Sequence, residues 1–442
     1  MSLLSSLSFT MVILFVSYVV AIVVPFLRRT PSDTGDAGGF EWHFFIPCRD
    51  EEAVIATTID RARRDFPDAH VWVVDDDSDD HTGDIVASRA ADDRFVHLVQ
   101  RRRPAARTGK GDALNSAYRS LLAWLPSDRD HERVVVAVLD ADGELAPGAL
   151  SYMAAADVFG NPAVGAAQTS VLMKNRDDLD PRPGEGRWAR WLARWLIRMQ
   201  DLEFRATIPG MQLLRVRTGS VGLGGNGQFT RLSVLDDIAR ETEEPWHGAL
   251  LEDYEIGVHV LLAGYENRYV HDTFVAQEAL GHGQRLLTQR TRWAQGNLQC
   301  VSYLPQLFRS RHLATSAVLE SGYYLILPYL QLLGTLVFPI LLVTSFRGSL
   351  IAPEVGVLLL PLVLFFGVLP FAAWGPIYRR REAPWAPRWL GLVWGLVYFV
   401  YIHYIYITVW RAALRLVLRR SGWAKTRRNA EVVVSGPVAK EA

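Results

Sequence analysis

The apolar positions of this 442-residue chain fall into two regimes. Toward both ends they run continuously, and between the ends they come in short bursts separated by charged turns. Leu3 to Leu27 is an unbroken apolar stretch long enough for a bilayer. It lacks the basic start and small-residue cleavage site of a signal peptide, so it reads as a retained anchor. Arg28 and Arg29 follow it directly, and the positive-inside rule then places the rest of the chain in the cytoplasm. Thr30 to Gly39 is a small, polar linker. Beyond Pro305 three further stretches, Thr315 to Phe346, Leu350 to Trp374 and Leu390 to Trp410, are each long enough to span. The basic clusters at Arg379 to Arg381 and from Arg411 to Arg428 conflict with three spans, because the rule wants both clusters inside. Pro328 splits the first of these stretches, and Glu320 would be costly in lipid, so its beginning is expected at the interface. Four segments follow: an N-terminal transmembrane helix over 1–29, a soluble domain over 40–305, transmembrane or interface helices over 306–421, and a basic, disordered tail over 422–442.

Inside the soluble segment the bursts have the length of buried strands. His43 to Ile46 reads as a first strand ended by Pro47, and Asp50, Glu51 and Glu52 stand where a helix opens, on the side that favours acids. Val71 to Val74 runs into the carboxylates Asp75 to Asp84. Val134 to Leu139 runs into Asp140, Ala141 and Asp142. Short, wholly apolar strands with helices between them form βαβ units, hence a mostly parallel, Rossmann-like α/β sheet. Ligands of such sheets sit beyond the carboxyl ends of the strands. An Asp-x-Asp placed there suits a hard divalent cation, although a solvated turn would use the same residues. Ala163 to Met173, which contains GAAQTSVLM, reads as another strand, and Gly222 to Gly227 form a glycine-rich turn. Glu252 and Asp253 precede an apolar helix over Ile256 to Leu262, where acids are also ordinary helix-start charges. Gln289, Arg292 and Trp293 lie on a further helix. In Arg187 to Met199, Trp188, Trp191 and Trp195 recur at helical spacing with Arg187, Arg190, Arg194 and Arg198 between them. Such a helix fits a membrane interface and fits packing on its own domain equally well.

Composition removes several classes. The formal net charge is zero, so no global field argues for nucleic acid. Cys48 and Cys300 are too few and too distant for a disulfide framework or a zinc cluster. Asp75 to Asp84 is no EF-hand, since Asp80 stands where the loop needs glycine and a strand precedes it. The segment ARTGKGDALN is no ATPase phosphate loop, since Pro104 and Gly111 occupy the required glycine and Ser/Thr positions. His81, His271 and His282 carry no ligand motif and read as polar loop residues.

The motifs VVDDDSDD, GKGDALN, LDADGE, GGNGQF, LEDYEIG and QRTRW occur in this order between apolar ends. In that arrangement the chain resembles the inverting, membrane-embedded family 2 glycosyltransferases, which include the cellulose, chitin, hyaluronan and poly-N-acetylglucosamine synthases. The resemblance spans His43 to Gln299 and implies a GT-A fold binding a nucleotide sugar. It implies that Asp75 and Asp76 read the base and ribose, that Lys110 lies near the nucleotide, and that Asp140 and Asp142 form the D-x-D, with Asp142 holding Mg²⁺ or Mn²⁺ on the diphosphate. Asp253, after Glu252, matches the catalytic base. Gln289, Arg292 and Trp293 match the Q-x-x-R-W of processive members, with Arg292 at the diphosphate and Trp293 at the acceptor. The departures are Asp77 for a glycine, Asp50 for an asparagine and Leu251 for a threonine. The implied enzyme is a hexosyltransferase of the plasma membrane, multi-pass with a cytoplasmic catalytic domain. It extends a growing β-linked glycan from UDP-glucose or UDP-N-acetylglucosamine, and single addition to a lipid is the alternative.

Overall fold

Apolar, largely β-branched or aromatic runs build the centre of a single sheet. The computed structural model describes residues 3–351 and 364–420. Helix α1 (Leu3–Leu27) leads to β1 (Glu41–Cys48), α2 (Ile55–Asp65), β2 (His70–Asp76), α3 (Thr82–Asp92), β3 (Val96–Arg101), α4 (Lys110–Trp124) and β4 (Val134–Val138). Then come β5 (Glu144–Leu145), α5 (Ala149–Met153), β6 (Val164–Met173), α6 (Arg187–Leu202) and α7 (Ile208–Thr218). The domain closes with β7 (Gln228–Arg231), α8 (Leu232–Thr242), α9 (Glu252–Leu262), β8 (Glu266–Gln277) and α10 (Gly283–Cys300), followed by α11 (Leu304–Arg309) and α12 (Thr315–Ile351).

Every residue of β4 is buried, because helices cover both faces of the sheet. Ile55, Ile59 and Val86 from α2 and α3 pack on one face. Leu114, Leu121, Leu235 and Ile256 from α4, α8 and α9 pack on the other. The strand order is β3-β2-β1-β4-β7-β6-β8-β5. The expected parallel core is there in β1 to β4. The complete sheet is mixed, because β7 runs antiparallel to both β4 and β6. Strand β1 does not stop at Pro47 but continues to Cys48. β4 has already ended opposite Phe45, so the proline occupies a part of β1 paired only with β2.

This topology sets the functional edge. β1, β2, β4, β6 and β8 all point their carboxyl ends the same way, and antiparallel β7 brings its amino end there too. The turns after Cys48, Asp76, Val138, Met173 and Gln277, and the glycine-rich turn before Gln228, therefore share one rim.

The apolar ends correct two expectations. α12 is one helix of 37 residues running through Pro328. Glu320 is buried but not alone: Arg215 of α7 lies 2.8 Å away, Ser220 Oγ donates at 2.8 Å, and Tyr18 of α1 donates at 3.2 Å. A charge that looked costly in lipid is a protein-protein tie between three helices. Removing one partner of a buried pair strands the other, so Glu320→Ala is expected to destabilise the protein by about 3–5 kcal/mol. Replacing both Arg215 and Glu320 by apolar residues should cost less. Denaturant melts of the purified protein check this, and a wild-type midpoint for Glu320→Ala would refute it.

Among the described residues, two segments are long and apolar enough to cross a bilayer, Thr10–Leu27 with mean hydropathy 2.6 and Arg388–Val417 with 1.7. The second consists of the helices Arg388–Ile402 and Tyr404–Val417. The expected span over Leu350 to Trp374 lies in part outside the described residues, and the tail over 422–442 lies wholly outside them.

Candidate active site

At the carboxyl rim of the sheet lies a cleft of about 170 Å³, open to solvent. Its walls bring together Asp76, Lys110, Asp140, Asp142, Glu252, Asp253, Gln289, Arg292 and Trp293, from separate turns and helices.

The Asp140–Asp142 turn follows β4 and is closed by the Gly143 N–H donating to the Asp140 carbonyl at 2.8 Å. Asn226, just ahead of β7, accepts the Asp140 N–H at 3.1 Å. A Cβ on Gly143 would stand 2.7 Å from that Asn226 oxygen, so the close approach requires glycine. Asp142 is 2% exposed, and its Oδ2 accepts the Glu278 N–H at 3.0 Å from the residue after β8. Lys174, the residue after β6, donates to the Asp142 carbonyl at 3.2 Å and to Glu144 at 3.0 Å. Lys110 opens α4 and places its Nζ 2.8 Å from Asp140 and 3.6 Å from Glu252. Burial opposes its charge, but the Asp140 and Glu252 carboxylates outweigh burial and hold the ammonium above its ordinary range.

Asp253 is the second residue of α9, and its Oδ1 accepts the Tyr254 N–H at 2.7 Å. Burial first, and the Glu252 carboxylate second, push it from 3.8 to about 7, against the pull of Lys110. Gly225, at φ +73°, lies across it. A side chain there would put a Cβ 2.7 Å from Asp253 Oδ2. The glycine-rich turn therefore walls the acid in backbone rather than side chain, which raises its proton affinity by excluding water.

α10 carries Gln289, Arg292 and Trp293 to the opposite wall. Trp293 is backed by a residue that sequence reasoning passed over. The Arg290 guanidinium sits 4.2 Å from the Trp293 ring centroid and 2.9 Å from Glu203. Glu203 begins a π-helical turn, Glu203–Thr207, a distortion frequent at functional sites. It also accepts the hydroxyls of Tyr401 at 2.9 Å and Tyr404 at 3.0 Å. Tyr398 donates to Thr207 at 2.8 Å. The hydroxyls of Tyr398, Tyr401 and Tyr404 thus point inward, onto the platform behind Trp293. Arg290 lies inside QRTRW and was legible in principle; a lone Glu203 carried no signal.

Other placements differ from expectation. Asp75 is not part of the cleft lining. Its carboxylate accepts the Ser78 N–H at 3.0 Å and pairs with Arg102 at 3.2 Å. Asp76 does reach the cleft, though Arg101 at 2.5 Å and the Arg107 N–H at 3.0 Å hold it. Asp50 and Glu52 do not start a helix, since α2 begins at Ile55. They accept the N–H groups of Asp79 and His81, clasping the turn after β2. His271 is no loop residue but lies within β8, where burial, then Arg29, lower it to about 4. The two halves of α6 differ. Trp188 is 81% exposed, whereas Ile197, Met199 and Leu202 are buried.

With this geometry, three comparisons bear on the chain. Residues 41–296 match the family described as "Glycosyltransferase like family 2". The beta-monoglucosyldiacylglycerol synthase of Synechocystis sp. is 25% identical over 423 residues, covering 90% of this chain and 79% of the relative. The poly-beta-1,6-N-acetyl-D-glucosamine synthase of Staphylococcus epidermidis is 23% identical over 261 residues, covering 57% of this chain and 53% of the relative. The mannosyltransferase PcManGT of Pyrobaculum calidifontis, solved in complex with GDP-Man and Mn²⁺, superposes with a TM-score of 0.57 at 14% identity, over 94% of this chain and 97% of that one. That likeness establishes the shared fold.

Proposed function

Since the chain belongs to the family 2 glycosyltransferases, and so is an inverting enzyme of GT-A fold that uses a nucleotide sugar, we propose that it moves one hexose onto a lipid hydroxyl at a membrane surface. The observation that carries this is the reach of the lipid glucosyltransferase likeness, which extends over 90% of the chain and so runs beyond residues 41–296 into the apolar C-terminal segment. Exposed apolar side chains on both apolar ends agree with a lipid setting: Leu14, Val20, Leu336, Leu396, Val400 and Leu414 all face outward. The finer membrane layout, several spans with a cytoplasmic catalytic domain at the plasma membrane, belongs to the same proposal.

Residue roles follow from the cleft. Asp253 takes the proton of the acceptor hydroxyl as that oxygen attacks the anomeric carbon. Attack from one side expels the nucleoside diphosphate from the other, so the centre inverts and no carboxylate nucleophile is needed. Arg292 and Lys110 meet the negative charge that develops on the leaving diphosphate. Trp293 offers a flat apolar face to the acceptor, and Gln289 a neighbouring hydrogen-bonding group. Asp76 is placed for the nucleoside, with Asp75 holding the turn from behind. The Asp140–Asp142 donor set consists of carboxylate oxygens, the chemistry that suits Mg²⁺ or Mn²⁺. Asp140 already pairs with Lys110, which leaves Asp142 as the principal ligand. Such an ion, when bound, balances diphosphate charge.

A second reading is processive extension of a β-linked glycan. Gln289, Arg292 and Trp293 favour it, since all three reach the cleft. Product length separates the two. Purified enzyme is given radiolabelled UDP-glucose, UDP-N-acetylglucosamine or GDP-mannose, with vesicles containing diacylglycerol. A single glycolipid spot is expected. A ladder or immobile polymer formed without lipid acceptor would overturn the lipid reading in favour of the processive one.

A further inference from the structure

Behind the cleft wall, two histidines and a glutamate with no part in the transfer converge. Glu255 and His259 stand one turn apart on α9, the spacing that sets two side chains on one helix face. His247 approaches from the loop before α9. The His247 and His259 ring centroids are 4.3 Å apart, nearly perpendicular at 76°. One ligand atom from each of the three residues lies within 4.8 Å of the other two. The Tyr303 hydroxyl reaches the same point, 2.7 Å from Glu255 Oε1 and 3.2 Å from His259 Nε2. A separate cavity of about 320 Å³, lined by His247, His259 and Tyr303, gives access from solvent.

We propose that His247, Glu255 and His259 bind a borderline transition-metal ion of the Zn²⁺ type, with water from the adjoining cavity or Tyr303 completing the shell. Two imidazoles and one carboxylate are a donor set for Zn²⁺, Co²⁺ or Ni²⁺, whereas Mg²⁺ and Mn²⁺ prefer oxygen. The site therefore differs in chemistry from the carboxylate turn at Asp142. Zinc–ligand bonds of about 2.0–2.2 Å require the three donors to draw closer than they now stand. His247 is on a loop and is only partly buried, so it can make that movement. Glu255 is already oriented from behind, since its Oε2 accepts the Ala249 N–H at 3.1 Å, the kind of outer contact that fixes a ligand.

The position gives the ion a consequence. Leu250 and Leu251, later in the same loop, line the cleft, and α9 opens with Glu252 and Asp253. The His247 carbonyl would lie 2.9 Å from a Cβ on Gly111, the neighbour of Lys110. An ion joining His247 to α9 therefore braces the wall that carries the proposed base.

The test uses full-length protein stripped with EDTA and titrated with Zn²⁺ alone, then Co²⁺ alone. The expected result is one ion bound per chain with a rise in melting temperature. Binding persists in Asp142→Asn, which excludes the diphosphate site, and weakens in His247→Gln and in His259→Gln by more than the roughly 10–100-fold that loss of an outer contact to a ligand costs. Zinc-edge X-ray absorption on the wild type, which needs no variant to fold, should show two imidazoles. Unchanged affinity in both histidine variants, or a spectrum without imidazole scattering, overturns the proposal. Neither result would touch the assignment of Asp253 or Asp142.

Discussion

Asp253→Asn is expected to slow sugar transfer by about 10²–10⁴-fold, the range a positioned general base supplies, while donor affinity stays near that of the wild type. Asparagine keeps the shape under Gly225 and can still accept the Tyr254 N–H, so the cleft wall survives. What goes is the oxygen placed to take the acceptor proton. A base works ionised, and Asp253 ionises near 7, so wild-type kcat/KM should rise with pH up to about 7 and level off above it. The variant's residual rate should lack that inflection. Stability moves the opposite way, and the sign is fixed by linkage. The folded value lies above 3.8, so the native protein keeps a proton that the unfolded chain releases. The carboxyl's contribution to stability is therefore complete below about 4 and is lost as pH rises through about 7. Asparagine never ionises and avoids this loss. The variant should melt above wild type at about pH 8, and no higher at about pH 4. Single-turnover kinetics, calorimetry with donor, and melts at both pH values check the set. Normal turnover in the purified variant would remove Asp253 as the base.

How much of this was legible in the sequence follows from how local each feature is. The Asp140–Asp142 turn stands immediately after a five-residue strand whose every residue is buried, so strand end and ligand end were read together. Gln289, Arg292 and Trp293 sit close together on a single helix, and helical spacing alone put them on adjacent positions. Asp75 and Asp76 were a harder case. Successive strand residues face opposite sides, so only one of two adjacent acids can enter the cleft directly, and the hydrophobic pattern does not say which. Glu320 misled because its meaning depends on Arg215, 105 residues earlier. Read alone it is a charge in an apolar run; read with Arg215 and Ser220 it is an anchor. Glu203 depends likewise on Tyr404, 201 residues away, and on a π-turn that no local pattern signals. The antiparallel β7 escaped notice for a related reason. It is four residues long, too short to carry a period, yet it is what delivers Asn226 to Asp140.

The second large effect is expected at Asp142. Asp142→Asn should weaken metal-dependent donor binding by more than the roughly 10–100-fold that loss of an outer contact to a ligand costs. The substitution is conservative in every other respect. The amide oxygen can accept the Glu278 N–H, and Lys174 still has the Asp142 backbone carbonyl and Glu144. Fold and cleft volume should therefore persist, and melting without donor should be close to wild type. Asp140→Asn makes the contrast. Asp140 is partnered by Lys110 at 2.8 Å, and Lys110 keeps Glu252 at 3.6 Å when that partner is neutralised. Its loss should disturb the lysine more than the ion, with a smaller change in metal-dependent affinity and a larger one in affinity measured without metal. Calorimetric titration of each variant with donor, in EDTA and in Mn²⁺, resolves the two. If Asp142→Asn binds donor with the wild-type response to Mn²⁺, the ion is held elsewhere, and the turn after β4 is a structural corner rather than the seat of the diphosphate.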